Sequence, residues 1–171
     1  MPTTILVMVR IISIVGTGLA AGVFLGHRMG VSLARPELSP SSFVQLQQII
    51  HVHFVRMMPV LMIAAVGASI LWTILLRARW RAVEFWLVSG AAMAMVCVFV
   101  LTRAVNVPIN DQLMTWSIAA PPANLMGLWG PWEVVHSIRT VLAIAAFAVE
   151  VVALSAFSAS PSRPHVGSDA A

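Results

Sequence analysis

Two histidine–arginine pairs are the residues in this chain whose types and spacing most suggest chemistry. His53 and Arg56 stand three apart, as do His136 and Arg139, and on an α-helix that spacing places both members of a pair on one face. A histidine, with a free pKa of about 6.5, can exchange a proton near neutrality. An arginine supplies a fixed positive charge where a negative oxygen develops. Between the pairs lie Arg103, Asn106, Asn110 and Asp111, and Trp132 precedes His136 by one helical turn. Together these groups suggest one site of convergent polar side chains. A metal centre is not expected. His51 and His53 point to opposite helix faces, Cys97 lies deep in an apolar run, and metal sites usually need three or four ligands.

The elements that must position these residues are set by composition. The chain has 171 residues, of which 60% are hydrophobic and 9% charged, and its mean hydropathy is +0.94. A soluble domain carries roughly 25% charged residues, so a soluble enzyme, a disordered chain and a disulfide-stapled scaffold are all excluded. Four apolar runs predict membrane-spanning helices at about residues 4–26, 54–76, 83–102 and 137–159. Each has the length of a helical span rather than of a shorter, alternating barrel strand. The expectation is an all-α, four-helix integral membrane bundle over residues 1–160, followed by a disordered tail over 161–171.

All ten basic residues are arginines, giving a net charge of +4. They form no single solvated face, so nucleic acid is not an expected partner. Arg77, Arg79 and Arg81 crowd the short link between the second and third spans. Short arginine-rich links stay cytoplasmic, which predicts that both chain ends are cytoplasmic too, in a cell-membrane protein. The lipid bilayer is then the first partner. Arg10 splits the first apolar run, which argues for a retained helix over a cleaved signal peptide. Gly18, Gly22, Gly26 and Gly30 form a four-spaced stripe on that helix, a surface suited to close helix contact or to a homo-oligomer.

Two seams are expected to face the interior. One is Trp132, His136, Arg139, Ala143, Ala146, Glu150, Ala153 and Phe157, spaced alternately by four and three. The other is His53, Arg56, Val60, Ala64 and Gly67 on the second helix. A pocket between these helices would open outward, beneath the connection from about residue 103 to 132. Arg10 and Glu150 are expected to pair, since isolated charges inside a membrane are costly.

Three stretches resemble the anthrone-oxygenase-like family of small four-helix membrane proteins. They are Phe43 to Gln48 after a glycine-rich first helix, Val107-Pro108-Ile109-Asn110 after the third, and Trp132 with Arg139-Thr140 in the fourth. The resemblance covers about residues 5–155. It implies a cofactor-independent oxygenase that converts anthrones to anthraquinones with dioxygen, acting on a hydrophobic small molecule. It further implies His53 or His136 as base, Arg56 and Arg139 as enolate stabilisers and Asn110 as an orienting donor. Arg103, Asn106 and Trp132 would then bind substrate. Fungal members tend to read Pro-Thr-Asn where this chain has Pro108-Ile109-Asn110, which bears on substrate choice. Two other readings fit the same residues. A membrane cytochrome would hold haem between His53 and His136, and a non-enzymatic subunit or small transporter component would use the small-residue faces for contact.

Overall fold

A computed structural model describes residues 3–158, which fold into five helices with no strand among them. Helix α1 (Thr3–Gly26) runs on through a π turn (His27–Ser32) to a short 3-10 turn (Arg35–Glu37). Helix α2 (Pro40–Leu76) leads through a tight arginine-rich turn to α3 (Val83–Leu101). A second π turn (Thr102–Asn106) joins α3 to the short α4 (Val107–Leu113), and α5 (Leu125–Ser158) closes the bundle. Four helical segments are long and apolar enough to cross a membrane. The tail over 161–171 and the Phe157 side chain lie outside the described residues.

The helices run well past the apolar stretches that cross the bilayer. Helix α2 starts at Pro40 because Ser39 caps it: the Ser42 amide donates to Ser39 Oγ at 3.1 Å, and proline fits the first helical position. This early start sets the phase of the whole helix. Its buried face carries Phe43, Val44, Gln47, Met62, Ala65, Ser69, Trp72 and Leu76. The expected seam of His53, Arg56, Val60, Ala64 and Gly67 is instead exposed along its length. Reading residues 40–53 as a connection hides the amphipathic turns that fix which face turns inward.

Small residues hold the middle of the bundle together. Ala20, Ala65, Ala143 and Ala146 are fully or almost fully buried around Phe24, Met62 and Met95. A Cβ added at Gly16 would come within 3.2 Å of Ala65, and one at Gly18 within 2.8 Å of the Phe147 ring. Gly22, Gly26 and Gly30 meet nothing within 4 Å. Close approach on α1 thus uses Gly16 and, of the four-spaced stripe, Gly18. On α5, the seam from Trp132 to Ala153 is buried.

Arg10 does not reach Glu150. Its guanidinium pairs with Glu84 at the start of α3 and lies 5.5 Å from the Trp72 ring centre, while Arg79 also reaches Glu84 at 3.1 Å. Glu150 accepts hydrogen bonds from Ser13 at 2.7 Å and Ser69 at 2.8 Å. The reason lies in depth along α1. Ser13, one turn further into the bundle than Arg10, meets Glu150, whereas the long arginine side chain extends toward the helix end.

Candidate functional site

At the end of the bundle remote from the arginine-rich turn, the helices surround a cavity of about 420 Å³. One wall is apolar, formed by Phe54, Met58 and Met62 of α2 with Phe99 of α3. The opposite wall carries His27 from the first π turn, and Trp132, His136 and Arg139 from α5. Thr102, Arg103, Asn110 and Asp111 line it from the second π turn and α4, and Gln47 and His51 from α2.

Arg139 is the centre of the polar wall. It is 6% exposed, and its Nε and Nη2 approach His136 Nδ1 at 3.3 and 3.1 Å. Its Nη1 donates to Thr102 Oγ1 at 3.1 Å. The Thr102 hydroxyl in turn donates to the Val98 carbonyl at 2.7 Å, so its lone pairs are free to accept. The guanidinium carbon lies 4.7 Å from the Phe24 ring centre and 5.3 Å from that of Trp132. Among the described residues no carboxylate comes within ion-pair distance of Arg139. A buried cation with aromatic faces and neutral acceptors, but no counter-ion, borders the cavity.

The aromatic side chains fix the rest. Trp132 stacks on Trp129 at 4.5 Å, and Trp129 meets Phe43 edge-on at 5.5 Å. The Trp132 indole N–H donates to Asn110 Oδ1 at 2.8 Å, which ties α4 to α5. Gln48 donates to the carbonyls of Leu113 and Trp116, both at 2.9 Å, and so anchors the connection that follows α4. The His27 and His136 rings lie 4.8 Å apart, edge to face. His27 Nδ1 and His136 Nε2 are both buried without a hydrogen-bond partner.

The structure gathers some of the sequence-predicted residues and separates others. Trp132, His136, Arg139, Asn110 and Arg103 line the cavity, with Arg103 exposed on its rim. Asn106 is fully buried behind the wall and donates to the Trp132 carbonyl at 3.2 Å, a buttress and not a contact surface. His53 and Arg56 are exposed and belong to no part of the cavity wall. The haem reading loses its ligand pair with them, because His53 faces away from His136. Among the described residues no three metal-ligating side chains cluster.

His27, His51, Gln47 and Thr102 are the cavity residues the sequence reading misses. His27 was legible. Ser13, Thr17, Ala20, Phe24 and His27 repeat the same four-and-three spacing as the α5 seam, and the first four are buried. His51 follows from the corrected phase of α2, one turn beyond Gln47. Thr102 was legible in the same way, because Val88, Ala91, Met95 and Val98 are buried at that spacing and Thr102 follows Val98 by one turn, where the π turn begins.

A family model described as Anthrone oxygenase matches residues 47–149. The match takes in His51, Thr102, Asn110, Trp132, His136 and Arg139 and begins after Phe24 and His27. No curated protein and no solved structure matches the chain.

Proposed function

The chain belongs to the anthrone oxygenase family, and from that premise we propose that it oxidises a flat, hydrophobic aromatic substrate carrying an acidic C–H bond, with dioxygen as the oxidant. The observation that carries this reading is Arg139, a buried cation without a counter-ion at the polar wall of an otherwise apolar cavity. An anion that forms only during the reaction gains most from such a charge.

The reaction balances without an added reductant. A histidine of the polar wall takes a proton from the substrate methylene, and the electron pair left behind spreads onto the ring carbonyl as an enolate facing Arg139. The enolate passes one electron to dioxygen, and the two radicals combine into a carbon-bound peroxide anion, which takes the proton back from the histidine to become the hydroperoxide. Cleavage of its O–O bond with loss of the second methylene hydrogen leaves a ketone and water. One oxygen atom ends in the product and the other in water. In an anthrone this converts the methylene to the second quinone carbonyl. The aromatic rings of the substrate would lie against Phe54, Met58 and Phe99, with the developing oxyanion toward Arg139. The same reading keeps the Arg77–Arg81 turn cytoplasmic and opens the cavity at the other face of the cell membrane.

The test is oxygen consumption by the purified protein in detergent with an anthrone as substrate. One dioxygen consumed per anthraquinone formed, above the spontaneous rate, supports the proposal. A folded protein that adds nothing to the spontaneous rate with a panel of anthrones overturns it in favour of a non-enzymatic membrane role.

A further inference from the structure

Three histidines line the cavity, and two of them, His27 and His136, share its polar wall with their rings in contact but with hydrogen bonds that are not equivalent. We propose that Arg139 fixes His136 as a neutral ring protonated on Nε2, a hydrogen-bond donor, and that of this touching pair His27 is the base that takes the substrate proton. This division of roles rests on the oxygenase reading above.

The argument is one of donors and acceptors. A guanidinium has five N–H donors and no acceptor. Arg139 directs both Nε and Nη2 at His136 Nδ1, at 3.3 and 3.1 Å. That nitrogen therefore presents a lone pair, because a proton there would set N–H against N–H. The single ring proton of His136 must then reside on Nε2. Its Nδ1 lone pair is engaged and its Nε2 has none to offer, so the ring cannot accept a proton while Arg139 stays in place. Arg139 is held there by Thr102 and by the faces of Phe24 and Trp132. The ring is anchored as well, since the Thr140 hydroxyl donates to the His136 carbonyl at 2.6 Å one turn along α5.

His27 is free of this constraint. No guanidinium donates to its ring among the described hydrogen bonds, yet the ring lines the same cavity, 4.8 Å from that of His136. The charged and titratable groups that face it are Glu133, His136 and Arg139 of α5, with Arg28 beside it in the chain. Its aim follows from the regular part of the helix, since it ends the four-and-three run of Ser13, Thr17, Ala20 and Phe24 just where the π turn begins. The substrate proton would pass to His27 while the enolate oxygen faces Arg139 and the Nε2–H side of His136. Proton and charge thus go to separate groups, which suits a carbanion that must persist until it meets dioxygen.

Two measurements decide this. Nitrogen NMR of histidine-labelled full-length protein in lipid nanodiscs reads the tautomer directly, with the His136 signal identified by its loss in H136Q. The expected signal is Nε2–H with an accepting Nδ1, held between about pH 6 and 8, around the free imidazole value. An Nδ1–H ring or an imidazolium at His136 overturns the lock. The second measurement is loss of deuterium from the methylene of a deuterated anthrone under nitrogen, where proton removal proceeds without oxygenation. H27Q should slow this exchange by about 100-fold or more, the usual contribution of a general base, and H136Q by less than about tenfold, since glutamine still donates at that place. The reverse ranking overturns the assignment of the base. Wild-type protein that catalyses neither exchange nor oxygen uptake removes the oxygenase reading and the role of His27 with it. The tautomer signal of the same sample still decides the lock on His136.

Discussion

Arg10 and Arg139 are both drawn into the bundle and both lie over a buried tryptophan, but they end in opposite electrostatic settings. Arg10, its side chain 13% exposed, is neutralised by Glu84, to which Arg79 adds a second cation from the turn. Arg139 has only neutral acceptors, His136 and Thr102, and the faces of Phe24 and Trp132. A charge in a membrane interior is costly, and a carboxylate within reach offsets much of that cost. Where the partner is supplied, the charge holds helices together. Where it is withheld beside a cavity, the charge remains available to an anion that arises there. On the proposed reading the same residue type serves cohesion at one end and reactivity at the other, and the counter-ion is what separates them.

The largest expected effect comes from removing the unpaired charge. R139Q keeps hydrogen-bonding capacity but loses the cation, and should reduce turnover by roughly 100- to 1,000-fold, as the loss of one oxyanion stabiliser does. Thermal unfolding in detergent should change little, because no ion pair is broken. R10Q should do the converse. It strips Glu84 of its closer partner and should destabilise the bundle by about 3 kcal/mol, the lower end for a broken buried pair, since Arg79 still reaches the carboxylate. Turnover per folded molecule should hold. If R10Q lowered that turnover as far as R139Q does, the two arginines would not differ in role.

A sharper test gives Arg139 the counter-ion it lacks. Thr102 already accepts from its Nη1 at 3.1 Å, and T102D places a carboxylate at that point without adding much volume. The guanidinium would keep its place and its donors, but its charge would be offset. Turnover should fall by roughly 10- to 100-fold, less than on losing the arginine outright, with folding intact as judged by unfolding. An unchanged rate would show that the donors of Arg139 matter and its net charge does not.

How far this contrast could be read beforehand follows from the kind of signal each residue carries. The four spans are set by apolar length, which sequence displays directly. The α5 seam follows from regular spacing, and it delivers Trp132, His136 and Arg139 to one face. His53 and Arg56 share the same spacing but fall on the wrong face, because the phase of α2 is set by Ser39 and Pro40, ahead of the apolar run. The partner of Arg10 is decided by depth between helices distant in sequence, and no periodicity within α1 states it. His27 and Thr102 each continue the buried repeat of their helix to the residue where a π turn begins, beyond or at the end of the apolar run, so a reading centred on the runs passes over them. Sequence therefore finds the wall built on the seam of α5 and overlooks residues placed where α1, α2 and α3 extend past their apolar runs.

Glu150 supplies the smallest effect, and it bounds the comparison from the other side. It is fully buried, like Glu84, but its neighbours are the hydroxyls of Ser13 and Ser69 instead of arginines. Its burial beside no cation could be taken for a second reactive site, such as a proton relay. The geometry argues for cohesion. One carboxyl oxygen joins α1, α2 and α5 through two hydroxyl donors, and the apolar cluster of Met62, Ala65, Ala143 and Ala146 separates it from the cavity. E150Q retains an acceptor oxygen for both serines, so unfolding should shift by less than about 1 kcal/mol, within the range of single interhelical hydrogen bonds in membranes. Turnover should stay at the wild-type level. A variant that folds normally but loses turnover would make Glu150 part of the reaction, and burial without a counter-ion would then mark reactive groups at both ends of the bundle.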